Sequence, residues 1–180
     1  MLAAGVTAAC REIRVALPKT GGDVYRQHQL VWEAMRATAR HGQDFTYAML
    51  TPHVALVRSE RLPRGQVCEL REGRMRVLLA TARQTDRGLV ALAPDDVPAM
   101  VETLLARHGI VPADVEIHDQ ATLHGTKLDR DTRRQLDIRI PVTDLSFTAR
   151  FSNRALAALA LQHGVGRAKR FGCGMLRPTP

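Results

Sequence analysis

Strand-like segments alternate with three helix-like segments, in an order that recurs once along the chain. Arg11 to Leu17 alternates charged and apolar residues, as a strand with one buried face does. A helix starting at Asp23 and running toward Arg40 follows, and several short strands come next. The order then recurs, with a helix from Pro94, further strands, a helix over Asn153 to His163 and a last short strand. This recurrence predicts an α+β fold of two tandem ferredoxin-like (RRM-like) halves with antiparallel sheets.

The interpretation divides the chain into two domains that meet near Gly88 to Pro94. Residues 11–90 form the N-terminal ferredoxin-like domain, which carries the first helix, and residues 91–180 form the C-terminal one. The polar and basic segment Asp119 to Arg134 lacks periodicity, which predicts a loop. A hairpin is predicted after it, from Gln135 to Val142 and Leu145 to Phe151, turning at Thr143 and Asp144.

Basic residues are concentrated in the last third of the chain. The 180 residues include 26 basic and 18 acidic side chains, a net charge of +8, and 23 of the basic ones are arginines. Residues 1–120 are nearly neutral at +1, whereas residues 121–180 carry +7. This asymmetry is typical of a surface that binds a polyanion such as RNA. A solvated basic surface is the alternative.

Several classes of function lack support in the sequence. The three cysteines show no CxxC spacing, so neither a disulfide framework nor a zinc ribbon is predicted, and the expected compartment is a reducing cytoplasm. No HExxH motif, acidic cluster of the two-metal kind, GxSxG or Walker motif occurs, and we expect no metal or cofactor. The apolar segment Met1 to Cys10 is interpreted as a floppy leader, and no apolar stretch is long enough to span a membrane.

A glycine-rich segment near the C-terminus predicts a loop that binds phosphate. Four glycines and three basic residues fall within eleven positions that contain no acidic residue. Glycines let a backbone approach a ligand closely, and their amides together with the cations could cradle a phosphodiester. A dinucleotide-binding fingerprint is excluded, because a helix precedes this segment instead of following it. A helix C-cap with a tight return into the sheet is the structural alternative. The residues concerned are Gly164, Gly166, Arg167, Lys169, Arg170, Gly172 and Gly174.

Tyr25 and His28 form a second candidate site on the first helix. Residues three apart lie on the same helical face, so a phenol and an imidazole are placed side by side. Such a pair suits the general acid and base catalysis of RNA cleavage, in which a ribose 2′-hydroxyl attacks the adjacent phosphorus. A histidine packed at the edge of the core is the alternative reading of the same pattern.

Both segments together resemble the CasE-type CRISPR repeat endoribonucleases. The sequence Asp23-Val-Tyr-Arg-Gln-His28-Gln-Leu-Val-Trp32 is similar to the family's D-x-Y-x-x-H-x-x-x-W helix start. The sequence Gly164-Val-Gly-Arg-Ala-Lys-Arg-Phe-Gly-Cys-Gly-Met-Leu176 resembles its terminal G-x-G-x-A-K-x-x-G-C-G-L-L loop. The resemblance extends from about Arg11 to Pro178 and includes the tandem ferredoxin-like layout.

The resemblance implies a metal-independent enzyme that cleaves precursor CRISPR RNA on the 3′ side of each repeat hairpin. The products carry a 2′,3′-cyclic phosphate and a 5′-hydroxyl, and the enzyme often stays on the hairpin within a Cascade-like effector complex. His28 matches the family's catalytic histidine and Tyr25 its assisting tyrosine, while Lys169 and the glycines match its loop. We expect Lys169 to stabilise charge at the reacting phosphate. Which of His28 and Tyr25 is acid and which is base stays open.

The chain is shorter than typical relatives, so other basic segments are candidates for gripping the repeat. The main one, which we expect to bind hairpin shape and phosphates, is Lys127, Arg130, Arg133 and Arg134. A solvated loop is its alternative. A weaker candidate contains Arg58, Arg61 and Arg64. The short chain is compatible both with a type I-E system and with a reduced, type IV-like system.

Two other functions remain open at this stage. A catalytically inactive subunit that only binds the crRNA hairpin shares the charge asymmetry, but it does not need Tyr25 and His28 to meet a phosphate. A small-molecule enzyme that binds a nucleotide in the glycine-rich loop ranks last.

Overall fold

The computed structural model describes residues 10–39, 44–86, 88–129 and 131–179. The predicted leader, the predicted helix stop at His41 and Gly42, and Arg130 lie outside these residues, apart from Cys10. Among the described residues, no helix has both the length and the hydrophobicity needed to cross a bilayer.

The N-terminal half contains one helix and a four-stranded antiparallel sheet. Strand order is β2-β3-β1-β4, which is the order of a ferredoxin-like sheet. Residues 60–65, all described, form turns where a complete ferredoxin-like unit has its second helix. The elements are β1 (Arg11–Ala16), α1 (Val24–Ala39), β2 (Thr46–Thr51), β3 (Val54–Ser59) and β4 (Gln66–Val67).

The C-terminal half is a complete unit of the same kind. Its strands follow the order β10-β5-β9-β8, all antiparallel, and a small separate hairpin of β6 and β7 precedes its first helix. Two ferredoxin-like halves are therefore confirmed. The elements are β5 (Gly73–Ala80), β6 (Ala82–Thr85), β7 (Gly88–Ala91), α2 (Val97–Ala106), β8 (Ile110–Leu128), β9 (Gln135–Phe151), α3 (Arg154–His163) and β10 (Arg177–Pro178).

The division between the sheets differs from the boundary expected near Gly88 to Pro94. Because β5 pairs with β9 and β10, the second sheet begins at Gly73. In sequence, β5 stands directly after the short strands of the first half, and only its distant pairing with β9 assigns it to the second sheet.

The predicted loop over Asp119 to Arg134 is wrong. Strand β8 continues to Leu128, and β9 runs through Thr143 and Asp144 without a turn, so the two strands form one long hairpin whose described tip residues are 129 and 131–134. Near this tip most side chains on both faces are exposed, and the alternation that marks a half-buried strand is therefore missing.

Each sheet packs its helices on one face to form a hydrophobic core. In the N-terminal half, α1 contributes Val31 to a cluster that includes Tyr47 and Val57. In the C-terminal half, α2 and α3 cover the larger cluster around Leu105 and Phe147.

Arg58 connects the two halves and does not face a ligand. It is completely buried, its Nε donates to Glu12 at 2.8 Å, and its Nη2 donates to the carbonyl of Leu176, also at 2.8 Å. Its Nη1 donates to the carbonyl of Leu161 at the end of α3. The prediction that Arg58 grips RNA is wrong, because its donors are already used inside the protein. Arg61 forms an exposed ion pair with Asp44.

Candidate active site

A cleft of ≈ 690 Å³ lies between α1, β2 and the glycine-rich loop that follows α3. It brings together five residues that the sequence singled out at three distant points of the chain, namely Tyr25, His28, Lys127, Lys169 and Arg170. It also contains Trp32, Tyr47 and His163. Within the described ranges, no group of three His, Cys, Asp or Glu side chains is placed to hold a metal ion.

His28 is half-buried, and its ring packs in a T-shaped arrangement with that of Phe171, with 6.3 Å between ring centroids and 70° between planes. Its Nδ1 is buried and has no hydrogen-bond partner among the described residues. Burial lowers the pKa of His28 below the usual 6.5, and the positive charge of Arg170 lowers that pKa further. The imidazole is therefore mostly neutral at pH 7, with one ring nitrogen able to accept a proton.

Asp23 fixes the start of α1, as the sequence predicted, and also holds it against β8. One carboxylate oxygen caps the helix by accepting from the amide of Arg26 at 2.8 Å. The other oxygen accepts from the amide of Thr126 at 3.0 Å. Next to this contact, a Cβ at Gly125 would lie 3.0 Å from the amide nitrogen of Tyr25. The C-terminal hairpin thus packs directly on the helical turn that carries Tyr25.

The glycines of the loop mainly allow the loop to close on itself. Gly174 has φ +81°, and a Cβ there would lie 2.0 Å from the carbonyl oxygen of Val165. Gly164, Gly172 and Gly174 are buried, and their amides donate to the carbonyls of Ala160, Lys169 and Leu78. These three amides are thus not free to bind a phosphate, contrary to the predicted amide cradle. The structural alternative, a helix cap with a tight return into the sheet, accounts for these three glycines. Gly166, in contrast, is partly exposed.

The cations of the loop lie on its outer side. Arg167 and Arg170 are exposed, and Lys169 is half-buried where it lines the cleft. The guanidinium of Arg170 lies over the ring of Phe171, 5.5 Å from the centroid. Among the three, Lys169 and Arg170 share the cleft with His28, and Arg167 is not part of its lining.

Tyr47 supports this loop, a role that its sequence context did not predict. Its hydroxyl donates to the carbonyl of Arg170 at 2.9 Å, and a Cβ at Gly172 would lie 3.2 Å from its ring. Burial raises the pKa of Tyr47, so its hydroxyl stays protonated and remains a donor. Phe171 was missed as well. Nothing in the local sequence distinguishes either aromatic residue from an ordinary core residue.

The basic hairpin residues are only partly brought to the cleft. Lys127 is exposed and lines it. Arg133 and Arg134 are exposed in the turn at the hairpin tip and are not among the residues of the cleft. The turn is fixed by Asp129, whose Oδ1 accepts from the amides of Asp131 and Thr132.

A family model described as CRISPR associated protein matches residues 78–180 of the chain. No curated protein sequence matches it.

Similar solved structures extend over nearly the whole chain. A CRISPR endoribonuclease Cse3 bound to a 19-nucleotide RNA aligns with a TM-score of 0.74 and 19% identity, covering 97% of this chain and 100% of that one. The Thermus thermophilus Cse3 bound to an RNA representing a pre-cleavage complex aligns with a TM-score of 0.70 and 19% identity, covering 96% of this chain and 100% of that one. The CRISPR-associated protein Cas6e from Escherichia coli str. K-12 aligns with a TM-score of 0.60 and 17% identity, covering 94% of this chain and 99% of that one. At this identity the matches show a shared fold.

Proposed function

The chain belongs to the CRISPR associated protein family, and on that premise we propose that it is a metal-independent endoribonuclease acting on CRISPR repeats. It cleaves the precursor transcript on the 3′ side of the repeat hairpin. The observation that supports this most is the single cleft where α1 contributes Tyr25 and His28 and the loop contributes Lys169 and Arg170. Metal-free RNA cleavage needs a base, an acid and positive charge around one phosphate, and this cleft contains all three.

In the proposed reaction, His28 is the general base. It removes the proton of the ribose 2′-hydroxyl, whose oxygen attacks the adjacent phosphorus, and the bond from phosphorus to the 5′-oxygen breaks. The leaving oxygen takes a proton, for which Lys169 is the candidate donor. The products are a 2′,3′-cyclic phosphate and a 5′-hydroxyl. The lowered pKa of His28 favours this assignment, because a base must be unprotonated at the working pH.

The remaining side chains position and neutralise the substrate. Tyr25, one helical turn before His28, orients the 2′-hydroxyl or the phosphate. Lys169 and Arg170 stabilise the negative charge that grows on the phosphate oxygens in the transition state. Lys127 lines the same cleft from strand β8, so the long hairpin contributes a cation to the site itself.

The repeat hairpin contacts the β8–β9 hairpin in this proposal. Arg133 and Arg134 are exposed at its tip, where they can reach phosphates of an A-form stem outside the cleft. Arg167 adds an exposed cation on the loop. Solved structures of similar fold include a CRISPR RNA-guided surveillance complex, with a TM-score of 0.58 and 16% identity. We propose that this chain likewise stays on its cleaved RNA within an effector complex.

The decisive experiment incubates the purified protein with labelled repeat RNA in EDTA. We expect a single cut with cyclic phosphate and 5′-hydroxyl ends. His28→Ala should abolish cutting while hairpin affinity stays within a few-fold of the original. His118→Ala is the matched control, since His118 bonds to Ser146 on the C-terminal sheet and does not line the cleft, and it should cut normally. Full activity of His28→Ala would contradict the mechanism.

The same assay tests the alternative of an inactive hairpin-binding subunit. If RNA stays intact in a stable, salt-sensitive complex with the unaltered protein, the chain is a binding module and not a nuclease. Binding of mononucleotides without preference for a hairpin would instead indicate a small-molecule enzyme.

A further inference from the structure

A second cavity, of ≈ 570 Å³, adjoins the candidate active site at Phe171. It lies between the two sheets, with Ala48 and Met49 of the N-terminal sheet on one side and Leu78 and Leu123 of the C-terminal sheet on the other. The turn before α1, with Gly21 and Gly22, is part of the same lining. The volume is within the range of about 300–1,000 Å³ that small ligands occupy, and it is too small for an RNA duplex.

Phe171 connects this cavity to the proposed chemistry. Its ring contacts His28 on the active-site side, and the same residue lines the second cavity. A group bound in the cavity therefore lies one aromatic ring away from the imidazole. Within a nucleic acid, that separation suits a nucleotide next to the phosphate being cleaved.

Arg177, whose side chain lines this cavity and also another one, carries an unsatisfied hydrogen-bond donor. The Nε of Arg177 is buried and has no partner among the described residues, so it reaches a ligand in the cavity only if the guanidinium turns. A buried donor without an acceptor is unfavourable, so a ligand that supplies an acceptor gains from the contact. Lys19, which is exposed, adds a positive charge at the same cavity. Aliphatic walls, the ring of Phe171, the guanidinium of Arg177 and the charge of Lys19 match an unpaired nucleobase with its phosphate.

We propose that this cavity binds the unpaired base of a nucleotide next to the scissile phosphate. Arg177 donates to an acceptor on the base edge, Phe171 contacts the base, and Lys19 lies near its phosphate. The inference rests on the proposed function and adds a specificity site to it, because the cavity selects which nucleotide is placed at His28.

The test is a scan of the repeat RNA encoded with this protein, in which one ribonucleotide at a time loses its base. The abasic ribose keeps its 2′-hydroxyl, so the attacking group is still present. Cleavage by the unaltered protein should fall about tenfold or more at one position beside the cut, and little elsewhere in the unpaired strand. Arg177→Met should lower cleavage of the intact repeat and reduce the penalty for that abasic position.

A variant that fills the cavity provides the second measurement. Leu123→Trp enlarges a half-buried side chain that lines the cavity and belongs to neither hydrophobic core. It should cut the intact repeat as poorly as the unaltered protein cuts the abasic one, with little further loss on the abasic RNA. Leu89→Trp makes the same change at an exposed position of strand β7, away from the cavity, and should leave cleavage unchanged.

Two results distinguish failure of this inference from failure of the proposed function. If the intact repeat is cut and the abasic scan is flat, or if the effects of Leu123→Trp and of the abasic position multiply, the cavity does not bind a base. If no repeat RNA is cut by the unaltered protein, the proposed function itself is wrong and the cavity assignment is withdrawn with it.

Discussion

The carboxylate of Asp23 accepts a hydrogen bond from the amide of Thr126 at 3.0 Å, which joins the first helix to the hairpin of the other half. The same carboxylate caps α1 through the amide of Arg26. We predict that Asp23→Ala lowers the free energy of unfolding by about 1–2 kcal/mol for the lost cap. It should also lower the cleavage rate at saturating RNA, because the turn that carries Tyr25 loses its contact with β8. Urea unfolding and single-turnover kinetics measure the two effects.

Asn153→Ala is the matched control for that prediction. Asn153 caps α3 by accepting from the amide of Leu156 at 3.1 Å, and the described contacts of its side chain do not include the hairpin. Its loss should destabilise the protein by a similar amount and leave the cleavage rate of the folded fraction unchanged. Equal rate losses in both variants would mean that Asp23 acts only through stability.

The activity should have an acidic limb set by His28. Its pKa is below 6.5, through burial first and the charge of Arg170 second. If His28 is the base, kcat/KM rises with pH through that lowered pKa and is flat above 6.5. Stability should rise with pH as activity does, because the folded state binds the His28 proton more weakly than the unfolded state. The contribution of His28 to the free energy of unfolding therefore decreases as pH falls from 6.5 through the lowered pKa of the folded state.

Arg170→Ala should raise the pKa of His28 toward 6.5 without reaching it, since burial remains the larger cause. The acidic limb of the pH profile should move in the same direction. Arg167→Ala removes an exposed cation of the same loop that is not a cause of the shift, so its profile should match the unaltered protein. NMR titration of the His28 ring protons measures the pKa directly. An unchanged pKa in Arg170→Ala would contradict the electrostatic argument.

The sequence predicted the fold well wherever the pattern is local. The helix start at Asp23, the helix over residues 153–163 and the two ferredoxin-like halves follow from caps, periodicity and element order. The long hairpin was missed because both of its faces are exposed toward its tip, so the strand pattern is absent there. The assignment of β5 to the second sheet depends on its distant pairing with β9, which no local pattern encodes.

At the candidate site, the sequence identified the side chains proposed to act on RNA, but it did not identify the residues that hold them in place. His28, Lys169 and Arg170 were chosen by chemistry and resemblance, and the structure brings them to one cleft. Tyr47 acts through a hydrogen bond to a carbonyl more than 100 positions away, a contact that no local pattern encodes. Arg58 was misjudged because a sequence does not show whether an arginine is buried with its partners.

Arg58 should contribute more to stability than any exposed ion pair of the chain. Arg58→Met leaves the carboxylate of Glu12 and the carbonyls of Leu161 and Leu176 without their donor. Breaking a buried pair on one side costs about 3–5 kcal/mol, so we expect a loss of that size in urea unfolding. Glu12→Gln keeps an acceptor for the guanidinium and should lose less, which keeps the prediction testable if Arg58→Met does not fold.

Arg61→Met provides the comparison for Arg58. Its pair with Asp44 is about half exposed on both sides, with 46% and 53% of the two side chains accessible. Such pairs contribute about 0–1 kcal/mol, so its unfolding free energy should change by less than 1 kcal/mol. Similar losses for Arg58→Met and Arg61→Met would show that the buried network does not hold the halves together.

The tip of the β8–β9 hairpin should control affinity and not the rate of the chemical step. Replacing both Arg133 and Arg134 with serine removes two exposed cations outside the cleft. If each neutralises a phosphate, the slope of log K against log salt should become shallower by about 0.7–0.9 per contact, and affinity should fall. Cleavage at saturating protein should be unchanged, since the cleft is intact. Arg71→Ser is the control, because Arg71 is exposed but paired with Glu69, and it should keep the original slope. A double variant with an unchanged slope would show that RNA does not reach this tip.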